Sequence, residues 1–220
     1  MTITDNLLQL KSQLPEHVTL VAVSKTKPIQ AIEEAYRAGQ RIFGENKIQE
    51  MTDKWEQLPK DIQWHMIGHV QSNKVKYMAP YVALIHGVDS LKLLEEINKQ
   101  AAKNNRVIAC LLQVHIAEEA TKFGFNAAEL ETLLQSEAFK RLNHIQVTGL
   151  MGMATFTDNT TQIRNEFVSL KKLFNHYQSI NTSNCQLNIL SMGMSGDYEI
   201  AIECGSTLVR IGSSIFGVRN

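Results

Sequence analysis

Two stretches of this chain carry residues able to do chemistry together. The first runs from Ser191-Met-Gly-Met-Ser195-Gly-Asp197 to Gly205-Ser-Thr-Leu-Val-Arg210-Ile-Gly212-Ser213. Free backbone N–H groups at the start of a helix attract an anion, glycines let the backbone approach it, and serine hydroxyls add donors. Tight turns around a strand would use the same glycines, so Arg210 is the discriminating residue. Residues two apart on a strand share a face, which groups Leu208, Arg210 and Gly212. A guanidinium on a buried face needs a partner, and a phosphate-bearing ligand supplies one.

The second stretch is Val18-Thr-Leu-Val-Ala-Val23, an apolar run that ends in Ser24-Lys25. Thr19, Val21, Val23 and Lys25 share a face, so Lys25 tops an apolar column where partial desolvation disfavours the ammonium form. A neutral amine is a nucleophile that forms Schiff bases with carbonyl compounds. Pyridoxal 5′-phosphate has an aldehyde for such an amine and a phosphate for the later loops. Lys27 and Lys47 read as surface lysines just past strand ends.

Bringing the two stretches together is a task for the fold, and the chain alternates strand-like and helix-like segments throughout. An amphipathic helix over residues 3–14, with Ile3, Leu7, Leu8 and Leu10 on its apolar side, precedes the first strand. A helix then begins at Pro28, places Ile29, Ile32 and Tyr36 on one side and closes at Gly39. Strands over 41–44, 64–67 and 83–88 lead into helices over 48–58, over 71–78 and from a cap at Asp89-Ser90. The run 107–116 is the longest apolar strand and precedes a helix capped by Asn126. Residues 145–149 lead to a helix capped by Thr157 or Asp158, residues 187–190 to a short helix over 197–204, and residues 208–211 form the eighth strand.

Eight strand-to-helix steps point to an α/β protein, a single (β/α)8 TIM-type barrel over residues 1–220 with an extra N-terminal helix. A doubly wound open sheet would use similar alternation, but with a glycine-rich turn after the first strand, where this chain has Ser24-Lys25-Thr26-Lys27-Pro28. In a barrel the C-terminal ends of all strands share one mouth, and phosphates often bind after strands seven and eight. Lys25, Asn46, His69, Lys122, Met153, Ser195, Arg210 and Gly212 would surround that mouth.

Composition narrows the partners. With 22 basic and 22 acidic side chains among 220 residues, no general field favours nucleic acid or anionic membranes. The N-terminus lacks the basic and apolar regions of a leader, so a cytoplasmic location is expected. Cys110, Cys185 and Cys204 have neither disulfide-like nor metal-ligand spacing, and no metal site is expected.

Val21-Ala-Val-Ser-Lys25, Phe43-Gly-Glu-Asn46 with Gln49-Glu50, and His65-Met-Ile-Gly68 with Gln71-Ser-Asn73-Lys74 form one set of motifs. Together with Gly149-Leu-Met-Gly-Met153, Ser191-Met-Gly-Met-Ser195 and Gly205-Ser-Thr-x-Val-Arg210-x-Gly212, they resemble the pyridoxal-phosphate homeostasis protein family along nearly the whole chain. The resemblance implies an alanine-racemase-like barrel with pyridoxal 5′-phosphate in Schiff-base linkage to Lys25. It implies phosphate held around Ser195, Gly212 and Ser213, Arg210 beside the pyridine nitrogen, and Asn46 and Met153 completing the cofactor-binding set. It further implies a role in vitamin B6 and amino-acid homeostasis without established catalysis; pyridoxal-phosphate-dependent apo-enzymes are the expected recipients, and a monomer is the expected state.

The alternative is a pyridoxal-phosphate-dependent amino-acid racemase. That reaction needs acid-base groups on both faces of the substrate, and the racemases resembling this chain obtain a tyrosine from a second domain. Here the barrel takes all the residues, and Tyr36, Tyr77, Tyr81, Tyr177 and Tyr198 read as packing residues. A phosphosugar aldolase would need carboxylates near its lysine, and Glu45 alone ends a strand near Lys25. Lys122 stands in Glu118-Glu-Ala-Thr-Lys122, where the acids would neutralise it on the surface; if it reaches the mouth it could accept the aldehyde during transfer.

Overall fold

The structure is a computed structural model that describes residues 2–118 and 123–217. Eight parallel strands follow one another around a barrel: β1 (Thr19–Val23), β2 (Ile42–Glu45), β3 (Gln63–Met66), β4 (Leu84–Val88), β5 (Ile108–Gln113), β6 (Ile145–Met151), β7 (Cys185–Ser191) and β8 (Leu208–Ile211). The last strand returns to the first in the register Thr19↔Leu208 to Ala22↔Ile211, which closes the barrel and removes the open-sheet alternative. A two-residue strand, Asn181–Thr182, pairs antiparallel with β7.

Alternation along the strands creates two cores. Val21, Leu84, Leu111, Met151 and Leu208 fill the lumen, while Phe43, Trp64, Ile85 and Cys110 point outward into the layer covered by helices. Those helices are α1 (Ile3–Gln13), α2 (Ile29–Arg37), α3 (Ile48–Gln57), α4 (Val75–Met78), α5 (Leu91–Lys103), α6 (Ala127–Gln135), α7 (Glu137–Lys140), α8 (Thr160–Tyr177), α9 (Tyr198–Glu203) and α10 (Ser213–Phe216). The extra helix α1 packs beside α2 and α10. Its Asn6 side chain donates to the Ile215 carbonyl at 3.1 Å, and the Thr4 amide donates to Glu34 at 3.1 Å.

Several local expectations are corrected. Leu8 is 53% exposed, because α1 buries only the narrow stripe carrying Leu7 and Leu10. Pro28 is the residue before α2 and not its first residue. The segment expected to be one helix over 71–78 is a 3₁₀ turn, Ser72–Lys74, followed by α4. The strand β5 has six residues against seven in β6 and in β7, since the chain turns away after Gln113 and Val114 bridges to Phe125. Asn159 caps α8, its side chain accepting from the Gln162 amide, in place of Thr157 or Asp158. Both α7 and α10 are short turns that periodicity could not reveal.

One close approach depends on glycine. A Cβ on Gly149 in β6 would stand 1.8 Å from the Ile189 carbonyl oxygen of β7. Among the described residues, no helix is long and apolar enough to cross a membrane, and no group of three His, Cys, Asp or Glu side chains could hold a metal ion.

Candidate functional site

A cavity of about 650 Å3 opens at the C-terminal ends of the strands. Lys25, Asn46, Met153, Ser195, Arg210, Gly212 and Ser213 all line it, as does His69. Alternation explains the convergence: Val23 faces the cavity, Ser24 turns outward and Lys25 faces inward again. The sequence-predicted groups therefore meet at one place although they come from opposite ends of the chain. Lys122 lies outside the described residues.

Arg210 is 3% exposed and is held by the barrel wall. Its Nη1 donates to the Ser191 carbonyl at 3.0 Å and to Ser191 Oγ at 2.5 Å, and its Nη2 donates to the Gly152 carbonyl at 3.1 Å. The sequence called for a partner to this inward guanidinium and looked to a phosphate-bearing ligand; the barrel wall itself supplies three oxygen contacts. Burial pushes the guanidinium down to about 10, which leaves it charged at neutral pH. Ser191 continues the chain of contacts to His86 Nδ1 at 3.1 Å, and His86 Nε2 meets His65 Nδ1 at 3.0 Å. Desolvation lowers His65 to about 3 and holds His86 well below the usual histidine range, so both rings are neutral.

Two residues beyond Arg210, the Gly212 amide donates to Ser195 Oγ at 3.2 Å, and the Met194 amide donates to Asp197 at 2.6 Å. These contacts fix a loop whose amides and hydroxyls converge where β8 ends. A Cβ on Gly212 would come within 3.1 Å of the Val23 carbonyl oxygen, so glycine allows β8 and the Lys25 segment to approach here. Lys25, Lys27 and Arg210 face the cavity against Asp158 and Asp197, a balance that favours an anion. The wall is completed by His69, which stacks on Phe123 with ring centroids 4.1 Å apart and contacts Asp89 at 3.2 Å.

Four positions were read differently from sequence or passed over. Lys27 is not a simple surface lysine: it lines the cavity and donates to the Phe216 and Gly217 carbonyls at 3.0 and 3.2 Å. Glu45 does end β2 close to Lys25, as expected, but its side chain is fully buried on the helix side of the strand and not in the cavity. His65 and His86 were passed over, and the available signal was a histidine alternating with apolar residues in each of two adjacent strands.

A family model described as the alanine racemase N-terminal domain matches residues 1–220. The pyridoxal phosphate homeostasis protein of Haemophilus influenzae is 40% identical over 206 residues, 92% of this chain and 86% of the relative. The chain belongs to the pyridoxal phosphate homeostasis protein family. Its homologue of that name in Aquifex aeolicus is 42% identical over 201 residues, 91% of this chain and 86% of the relative. Among solved structures, PipY of Synechococcus elongatus is 36% identical, with 98% of this chain and all of PipY covered. The TM-score is 0.91 to PipY without pyridoxal phosphate and 0.88 to PipY with it bound. Alanine racemase from Bartonella henselae, at 17% identity and a TM-score of 0.74, shares the fold; this chain spans 58% of its length.

Proposed function

We propose that this protein binds pyridoxal 5′-phosphate as a Schiff base on Lys25 and acts in the intracellular homeostasis of that cofactor, as a carrier and not as an enzyme. The observation that carries the reading is the meeting of Lys25, buried Arg210 and the Ser195–Gly212 loop in one cavity. Its volume lies in the range of cofactor sites, and its cationic balance suits a phosphate. PipY, the homologue with the cofactor bound, supports the same assignment.

The residues divide the work. Lys25 supplies the amine, while Ser195, Gly212 and Ser213 offer hydroxyl and amide donors to the phosphate. Asn46 and Met153 would border the ring, and Arg210 would present its cation to the pyridine nitrogen. When bound, the cofactor supplies an aldehyde and an electron-withdrawing ring. A guanidinium beside the ring nitrogen donates a hydrogen bond but does not hold that nitrogen protonated as a carboxylate would, which blunts the electron sink.

The tyrosines support the carrier reading over racemase. None of those expected as packing residues lines the cavity among the described residues. Tyr36 bonds Asp61, Tyr81 bonds Thr52 and stacks on Trp55, and Tyr198 bonds Glu199. Apo-enzyme recipients and a cytoplasmic location belong to the same proposal.

Borohydride tests the linkage. Reduction of the cofactor-loaded protein should bleach its absorbance and fix a cofactor-sized mass on the Lys25 peptide, and Lys25→Ala should fold yet lose the absorbing species. A label found only on Lys122, or on no lysine, would remove the assignment.

A further inference from the structure

On the helix side of β1 and β2, directly behind Lys25, lies a buried ionic cluster that the cofactor site does not use. Lys54 of α3 has a side chain only 7% exposed, and its Nζ makes three bonds. It donates to Glu45 at 2.8 Å, to Glu50 at 2.7 Å and to the Ser24 carbonyl at 2.9 Å. Ser24 Oγ donates to the same Glu45 oxygen at 2.6 Å, and the Thr26 amide donates to Glu50 at 2.6 Å. The residues on both sides of Lys25 are thus tied to one ammonium group.

The backbone they hold is strained. The Lys27 amide donates to the Ser24 carbonyl at 3.0 Å, making Ser24–Lys27 a turn with Lys25 and Thr26 at its centre. Thr26 has φ +65°, the sign that the second central residue of a type II turn requires and that glycine or asparagine normally supplies. For a β-branched residue this region is costly and persists only where surrounding contacts enforce it. The cluster has its own cost: Glu45 is fully buried, and its Oε2 has no hydrogen-bond partner among the described residues. Neither expense is explained by packing.

We propose that Lys54, acting through Glu45 and Glu50, is the positioning residue for Lys25: it clamps Ser24 and Thr26 so that the turn between them aims the amine into the cavity. The proposal rests on the Schiff-base reading above, in which Lys25 Nζ forms a C=N bond with the aldehyde carbon and one water leaves. A clamp of this kind acts on approach geometry and not on the binding of ring and phosphate.

Two variants test it. Lys54→Met breaks the clamp, and Glu50→Gln weakens its hold on Thr26 while leaving the Lys54–Glu45 pair in place, so it serves if the first fails to fold. The rate of C=N formation on mixing with pyridoxal 5′-phosphate, followed by absorbance, should fall by on the order of 10- to 100-fold in Lys54→Met and by less in Glu50→Gln. Affinity for pyridoxine 5′-phosphate, which has no aldehyde, should stay unchanged in Glu50→Gln. The Thr26 amide should exchange hydrogen faster in the ligand-free variants. An unchanged rate, an equal loss of rate and pyridoxine-phosphate affinity, or unaltered Thr26 exchange would each overturn the clamp. Lys25→Ala separates the two readings: if it forms the absorbing species as fast as the parent, the Schiff-base assignment fails, while Thr26 exchange still reports whether Lys54 holds the turn.

Discussion

At the scale of single residues, the donors around β8 and the buried histidines have opposite relations to solvent and lead to different experiments. Removing the Ser195 hydroxyl with Ser195→Ala, and crowding the close approach with Gly212→Val, should each weaken cofactor retention by about 1–3 kcal/mol. Dialysis should then show faster loss from both variants, and pyridoxal lacking the phosphate should be held far less well by the parent. Equal retention of the two aldehydes would mean that the loop serves another purpose. His65 and His86 bear on stability instead. In the unfolded chain each takes up a proton near pH 6.5, whereas the folded His65 stays neutral to about pH 3 and His86 is likewise depressed. Their contribution is therefore complete above pH 6.5 and declines as the pH falls, by about 1.4 kcal/mol per pH unit for each ring that remains neutral in the fold. Glu45, raised by burial, contributes with the opposite sign. Urea midpoints should drop from pH 7 to pH 5, and a flat profile would show that the rings are not kept neutral by the fold.

At the scale of elements, the strand-to-helix alternation was legible because apolar runs and helical stripes obey simple periods. Leu91, Leu94, Ile97 and Ala101 recur at the spacing of one buried helical stripe, and the last three are buried while Leu91 at the helix start is partly so; the two-residue period likewise grouped Leu208 with Arg210. What periodicity could not convey was which groups satisfy one another across strands. Arg210 was legible as inward-facing, but not its bonds to Ser191 and Gly152, which depend on neighbours from β6 and β7. For the same reason Glu45 was legible as a strand-end carboxylate but not as the partner of Lys54, whose place on the buried face of α3 runs against the expectation that lysines are solvated. Gly149 is another case in which contact and not local pattern decides. Gly149→Ala should force β6 away from β7 and cost roughly 1–3 kcal/mol or more, visible as a lowered denaturation midpoint. An unchanged midpoint would mean that the strands can part at that point without loss.

At the scale of the whole molecule, the proposed carrier role makes a kinetic statement. On that proposal, a site with no tyrosine on its described walls should not sustain deprotonation at an amino-acid α-carbon. Deuterium exchange at that carbon, measured over a panel of amino acids, should not exceed the free-cofactor background, while pyridoxal 5′-phosphate should pass from the protein to an apo-enzyme at a measurable rate. Exchange above background that disappears in Lys25→Ala would reassign the protein as an enzyme. Failure to load any apo-enzyme would leave binding in place and remove delivery as its purpose.

The pairing of β1 with β8 also sets an order of events during biosynthesis. Thr19–Ala22 emerge from the ribosome long before their partners Leu208–Ile211. At ordinary elongation rates the edge of β1 waits roughly 10–40 s for its neighbour. Throughout that interval it offers unpaired N–H and C=O groups to any passing strand. The same delay separates synthesis of Lys25 from that of Arg210 and Gly212, so a nascent or truncated chain has its amine long before its phosphate loop. Capture of the cofactor is consequently a property of the closed barrel, and a chain stopped before β8 is exposed to edge-to-edge association while lacking that half of the site.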